Sequence, residues 1–159
     1  MPKVNKVGSG HVAPVPNSGW QWLTFENVRE LKTLNDAIFI IGHRIKGYKP
    51  CEEAFKSLPG GKTFKEIWTD PGVWISRDPQ DVAGTYGATL GSDITISRYA
   101  LRMGRWTAAA TLVHELAHVD GADGVSADAE NTLLSCLLVG LRDPTIIGAL
   151  QVSSPARLA

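Results

Sequence analysis

The segment WTAAATLVHELAHVDG, residues 106–121, constrains the fold more than any other part of the sequence. The alanines at 108–110 favour a helix, and Gly121 is a residue type that commonly ends one. We therefore expect a helix from Arg105 or Trp106 to Val119. Apolar residues stand on both sides of its few polar positions, so the pattern predicts that this helix lies against the core.

Short β-branched segments precede this helix. GVWISRD and SDITISRY predict strands near residues 73–77 and 93–97. The glycine-rich segment VAGTYGATLGSD between them predicts a loop or an irregular hairpin. These segments indicate a small mixed or antiparallel sheet.

Helical periodicity marks the other elements. An amphipathic helix is expected to start with Thr24 as its N-cap and to run to about Ile41. PCEEAFKSLPGG and TFKEIW predict two shorter helices. Ser126 is expected to cap the helix ADAENTLLSCLLVGL, and a last short helix is expected to start at Asp143 and Pro144. Together with the strands, these helices predict an α+β fold.

The length of 159 residues suits one domain. Residues 1–19 are rich in Gly, Pro, Ser and Asn and lack periodicity, so we expect a flexible N-terminal arm followed by a single domain over 20–159. The basic start is not followed by an apolar segment of signal-peptide type, and LLSCLLVGL is too short to span a bilayer. These features predict a protein that is cytoplasmic or is secreted without a classical signal peptide.

The charge balance bears on the class of binding partner, and the two cysteines bear on whether the protein holds a disulfide. Lys plus Arg equals Asp plus Glu at 16 each, which gives no electrostatic reason to expect nucleic acid or a membrane as partner. Cys51 and Cys136 are far apart and form no CxxC motif. We expect two reduced, buried thiols, with one disulfide as the alternative in a secreted protein.

The motif His-Glu-x-x-His, at His114, Glu115 and His118, is the main candidate site. On a helix, the two histidines share one face about a turn apart, so both imidazoles can reach one zinc ion at about 2.0–2.1 Å. Glu115 lies roughly 100° around the helix from His114, which suits a general base beside the metal. We expect both rings to point inward, each with a partner for its second nitrogen.

The third zinc ligand has four candidates. Asp120 falls on the wrong side of a continuing helix, and Asp123 misses a known ligand spacing by one residue. Asp128 suits the helix N-terminus, where an acidic side chain is stabilised by the helix dipole. Glu130 lies one turn into the returning helix, with a side chain long enough to reach back. Glu130 is the preferred ligand, with Asp123 as the next alternative.

HELAH followed by a glutamate in ADAENTLL resembles a gluzincin-type zinc metallopeptidase of the small bacterial and phage kind. The resemblance covers about residues 93–140 and implies a zincin-like fold in which DITIS is the edge strand beside the substrate cleft. It implies that His114, His118 and Glu130 bind Zn²⁺ and that Glu115 is the catalytic base. The longer gluzincin pattern has an aspartate where this chain has Leu134. Small zincin domains also serve as toxin modules of secreted bacterial proteins.

A zincin also needs a donor for the oxyanion. Tyr99 is the first candidate because it follows the predicted strand closely, and Arg98, Tyr86 and His43 are alternatives. The expected function is a zinc-dependent hydrolase of peptide bonds, with a protein or peptide as substrate, such as a peptidoglycan peptide, and an inhibitor or immunity protein as a further partner. The alternatives are a non-catalytic binding module with a structural metal and a metal-free interaction domain.

Overall fold

The computed structural model describes residues 1–15 and 21–137, and within them the predicted α+β class is confirmed. A five-residue π-helical segment, Ile41–Ile45, directly follows the first helix. The strands and α-helices are β1 (Lys3–Val4), α1 (Val28–Ile40), α2 (Lys49–Lys56), α3 (Phe64–Thr69), β2 (Trp74–Asp78), β3 (Gly87–Leu90), β4 (Asp93–Ser97), α4 (Arg98–Met103), α5 (Arg105–Val119) and α6 (Asp128–Leu137).

The four strands form a mixed sheet in the order β1-β2-β4-β3. β2 and β4 confirm the two predicted strands and pair in parallel, whereas β3 pairs antiparallel with β4. The expectation that DITIS is the edge strand is wrong, because β4 has a neighbour on both sides. The glycine-rich segment before it supplies the edge instead, since Gly91 takes a φ of 63° and turns β3 tightly back along β4.

Helix α5 is the centre of the core. Every residue from 107 to 117 is buried, and the helix contacts α1, α4, α6, β3 and β4. Its small alanines allow these elements to approach closely. The helix ends as predicted, with Asp120 as C-cap and Gly121 at a φ of 92° immediately after it.

The first helix starts later than predicted. Asn27, and not Thr24, is the N-cap of α1, because its side chain accepts hydrogen bonds from the amides of Arg29 and Glu30. Thr24 precedes Phe25, whose amide donates to the carbonyl of Asn5 and whose ring is buried. This long-range pairing keeps the chain extended through Phe25, so a helix cannot start at Thr24.

The first residues of the segment predicted as an arm contact the domain. β1 pairs in parallel with β2, and the buried Asn5 donates to Ser76. His11 stacks on Trp74 with the ring centroids 4.1 Å apart, and its Nε2 lies 2.5 Å from an oxygen of Asp93. Residues 1–11 therefore make contacts with the sheet of the domain.

Cys51 and Cys136 form a disulfide that joins α2 to α6, so the preferred expectation of two reduced thiols is wrong. Both residues are fully buried, and the packing of the two helices brings their Cα atoms to 4.4 Å. The 85-residue separation hides this proximity in the sequence. The short helix predicted from Asp143 lies outside the described residues. Within the described part, no helix has the length and apolar character needed to cross a membrane.

Candidate functional site

The two histidines of the motif face each other on α5. Their Nε2 atoms are 3.1 Å apart, and the ring centroids are 4.8 Å apart. Two nitrogens bound to one tetrahedral zinc at 2.0–2.1 Å would lie roughly 3.3 Å apart. The two rings are within hydrogen-bond distance of each other, and the spacing of His114 and His118 is also close to that of two ligands of one ion.

The ring of His118 is fixed by its second nitrogen. Nδ1 donates to the carbonyl oxygen of Ala122 at 2.8 Å, because a carbonyl can only accept. Gly121 makes this contact possible by turning the chain so that Ala122 comes back under the helix end. The Nε2 of a neutral His118 thus presents its lone pair toward His114, as in histidines that bind metals.

His114 lacks such a partner. Its Nδ1 is buried and has no hydrogen-bond partner within the described residues. The expectation of a partner for each second nitrogen is thus confirmed for His118 and not for His114. Burial, together with the charge of His118, lowers the pKa of His114 to about 4. His114 is therefore neutral at physiological pH, which is the protonation state that binds a metal.

Glu115 is buried between α5 and the edge strand β3. Its Oε2 accepts a hydrogen bond from the Thr89 hydroxyl at 2.7 Å. Gly87 faces the same way two residues earlier, and a Cβ there would come within 2.9 Å of Glu115 Oε1. Strand β3 therefore holds the carboxylate with one hydroxyl and leaves room for it with one glycine.

The electrostatic environment of Glu115 is unusual for a glutamate. Burial raises its pKa to about 8, the Thr89 hydrogen bond opposes that rise, and the charge of Glu130 adds to it. A pKa near the physiological range is typical of groups that exchange protons during catalysis. Sequence reasoning found Glu115 but not Thr89 or Gly87, because the only signal was a Gly-x-Thr spacing in a segment of unknown pairing.

Glu130 lies on α6, which packs along α5. Its Oε2 is buried and has no hydrogen-bond partner within the described residues, and its charge acts on Glu115. The structure therefore brings Glu130 toward the motif. Within residues 1–15 and 21–137, however, no three His, Cys, Asp or Glu side chains form a group that could hold a metal ion.

The other acidic candidates have structural contacts. Asp123 Oδ1 accepts from the amides of Val125 and Ser126 in the turn before α6. The Asp120 side chain lies 3.4 Å from the amide of Lys62, on the loop before α3. Asp128 is exposed in the first turn of α6. The contacts of Asp123 support the preference for Glu130 over it, whereas Asp120 Oδ2 is, like Glu130 Oε2, buried without a hydrogen-bond partner among the described residues.

The oxyanion-donor candidates lie on different elements. Tyr99 lies in the first turn of α4, half-buried, with its ring against Tyr86 at 5.5 Å between centroids. Arg98 precedes it and is exposed. His43 belongs to the π-helical segment, where it stacks on Phe39. The ring contact of Tyr99 is with Tyr86 and not with the motif, so its role as an oxyanion donor stays a prediction.

Comparison with known proteins adds no assignment. No protein-family model matches the chain, and neither a curated protein nor a solved structure matches it.

Proposed function

We propose that the protein is a zinc-dependent hydrolase of peptide bonds with a gluzincin-like site. His114, His118 and Glu130 would hold the zinc, and Glu115 would act as the general base. The observation that carries this proposal is the pair of Nε2 atoms 3.1 Å apart, one of them on a ring anchored by a backbone carbonyl. This arrangement matches what a tetrahedral zinc requires of two adjacent ligands.

The chemistry of the donor set supports zinc. Two neutral imidazoles and one carboxylate form a common set of ligands at catalytic zinc sites. The buried, unpartnered Oε2 of Glu130 supports it as the third ligand, because a buried carboxylate oxygen without a partner is costly unless something compensates for it. Rotation about the bonds of the Glu130 side chain would have to complete the set.

The position of Glu115 supports catalysis over a purely structural site. A zinc ion bound there would polarise the substrate carbonyl and lower the pKa of the attacking water. Glu115 would take the proton of that water and pass it to the leaving amine. A structural site of four protein ligands has no use for a deeply buried carboxylate beside it, so Glu115 argues against the alternative of a non-catalytic module.

The edge strand supports an extended peptide as substrate. β3 pairs with β4 on one side and has no strand on the other among the described residues. It also contacts α5 and carries Thr89, which bonds to Glu115. A peptide added along the free side of β3 would gain backbone hydrogen bonds beside the motif. We keep Tyr99 as the proposed oxyanion donor.

Two measurements on the purified protein test this proposal. Zinc content after dialysis is measured by plasma mass spectrometry, and cleavage of a mixed peptide library is followed by mass spectrometry. We expect about one zinc per chain, loss of zinc in His118→Ala, and cleavage that a chelator abolishes. A protein without bound zinc, or cleavage that survives complete removal of zinc, would overturn the proposal. Bound zinc without any cleavage would favour the structural-metal alternative.

A further inference from the structure

A solvent-open groove of about 210 Å³ lies where α1, the π-helical segment and the start of α5 meet. Its apolar surface comes from Phe39, Ile40 and Trp106. Phe39 is 63% exposed, and no other Phe, Trp or Tyr among the described residues is exposed. The groove therefore presents aromatic surface to solvent.

Local contacts hold this aromatic surface in place. His43 stacks on Phe39 with the ring centroids 3.9 Å apart, and its Nδ1 donates to the carbonyl of Phe39 at 2.9 Å. Both residues lie at the junction of α1 with a π-helical segment, a rare conformation that often occurs at functional sites. The ring of Phe39 is thus ordered before anything binds to it, which lowers the entropic cost of binding.

The charges around the groove are positive. Arg44 and Arg105 line it and are exposed, and Arg105 lies over the Trp106 ring at 5.6 Å. Neither guanidinium has an ion-pair partner among the described residues. The carboxylate of Asp36, which also lines the groove, is bound by Lys32 at 2.7 Å. The two arginines are therefore free to receive anionic groups.

We propose that this groove docks an acidic segment of a partner protein through one apolar anchor side chain. The volume suits a single ring-sized anchor, because a cavity of roughly 150 Å³ accommodates benzene. Each guanidinium can form a two-point hydrogen bond with a carboxylate, and Arg and Trp are enriched among the residues that dominate protein–protein binding. Two arginines in a chain of balanced charge do not form the basic stripe that nucleic acid requires.

The groove is separate from the histidine pair. Trp106 and His114 are eight residues apart on α5, which is about 12 Å along the helix axis. Docking in the groove is therefore independent of the proposed hydrolase function and can be tested even if that function fails.

The test is an NMR titration of the ¹⁵N-labelled chain. The probe is an acetylated, amidated peptide with Leu-Phe at its centre and two glutamates on each side. We expect the peptide to shift the amide signals of residues 36–44 and 105–106. The double variant Arg44→Ala, Arg105→Ala should bind at least about tenfold more weakly, corresponding to about 1.4 kcal/mol. Arg29→Ala, which removes an exposed arginine of α1 outside the groove, should bind like wild type.

Further titrations distinguish binding of an acidic segment from binding of other molecules in the groove. The same peptide with glutamine in place of glutamate should bind more weakly, and Phe39→Ser should weaken binding of the acidic peptide. Absence of shifts at the groove, or equal affinity in the double arginine variant, would overturn the proposal. Equal shifts with inorganic phosphate would reduce the groove to a simple anion site. Groove shifts that depend on protein concentration without peptide would assign it to self-association.

Discussion

At the scale of single residues, the site depends on how the polar atoms of three side chains are satisfied. His118 has a backbone carbonyl for its second nitrogen, and Glu115 has the hydroxyl of Thr89. The Oε2 of Glu130 has no hydrogen-bond partner among the described residues. Because an unsatisfied buried carboxylate oxygen is costly, the residue that lacks a protein partner is the one that we expect a metal to stabilise.

We expect Glu115→Gln to keep zinc bound and to lose at least about 10²-fold in peptide cleavage, the scale for loss of a general base. Glutamine keeps the size of the side chain and can still bond to Thr89, but it cannot take a proton. Zinc content and initial rates check this. Glu53→Gln, at an exposed position of α2, is the matched control and should change neither. Cleavage by Glu115→Gln at the wild-type rate would contradict the assigned role.

We expect Glu130→Ala to lower zinc occupancy sharply, and Asp123→Ala to leave it nearly unchanged. Asp123 already accepts two backbone amides in its turn, whereas Glu130 Oε2 is unpartnered. Zinc content of the dialysed variants, with circular dichroism to verify folding, checks this. Equal zinc content in Glu130→Ala and wild type would rule out Glu130, and a loss confined to Asp123→Ala would move the ligand to the loop.

Asp78 supplies a prediction about pH. Burial raises its pKa above the ordinary 3.8, against the hydrogen bonds from Gln80 that lower it. The folded state therefore holds this proton more tightly than the unfolded state. The contribution of Asp78 to stability is most favourable below pH 3.8 and declines as the pH rises through the raised folded pKa.

Asp78→Asn should remove the decline in stability with rising pH, because asparagine does not titrate. The difference in the free energy of unfolding between variant and wild type, measured in urea at several pH values, should change in favour of the variant as the pH rises through this window. Asp36→Asn, at a half-buried carboxylate paired with Lys32, is the control. A difference that does not vary with pH would show that burial does not perturb Asp78.

At the scale of elements, the close approach of β3 to α5 determines the site. Strand β3 reaches Glu115 only because Gly87 has no side chain, and a Cβ there would lie 2.5 Å from the carbonyl oxygen of Thr95 on β4. The backbone of β4 cannot move aside as easily as the end of a flexible side chain can. The close packing of the edge strand β3 against the motif helix α5 therefore depends on the absence of a side chain at Gly87.

Gly87→Ala should cost about 1–3 kcal/mol of stability, the range for overpacking a closely packed position. It should also lower peptide cleavage more than zinc content, because β3 would move away from Glu115 while the histidines stay on α5. Urea unfolding and the activity assay measure both effects. Gly42→Ala is the matched control, since a Cβ there meets nothing within 4 Å, and it should be nearly neutral. Wild-type stability in Gly87→Ala would mean that β3 is not fixed against α5.

At the scale of the whole molecule, the disulfide between Cys51 and Cys136 links two helices that are far apart in sequence. It joins α2 to the helix that carries Glu130, across 85 residues of sequence. A crosslink over so long a loop restricts the unfolded chain strongly. The stability of α6 is therefore tied to the redox state of the protein.

Reduction should lower the free energy of unfolding by about 2–5 kcal/mol, the usual range for a native disulfide in a small domain. Urea unfolding with and without a dithiol measures this. The double variant Cys51→Ala, Cys136→Ala should be insensitive to the dithiol, which controls for effects of the reagent. Two thiols that react with an alkylating agent in the unreduced, denatured protein would show that the bond is absent.

Local chemistry made much of this molecule predictable from its sequence. The bounds of α5, the positions of β2 and β4, the facing histidines and the α+β class follow from helix periodicity, β-branched runs and motif spacing. Each of these depends on residues a few positions apart, where backbone geometry alone decides which side chains meet.

Only the tertiary structure decided the features that depend on contacts between residues far apart in sequence. It placed β3 instead of β4 at the sheet edge, moved the start of α1 to Asn27 and joined Cys51 to Cys136. It also showed Thr89 and Gly87 at Glu115, 26 and 28 residues away in sequence. The order of strands and the packing of helices are set by burial summed over the whole core, and no short segment carries that information.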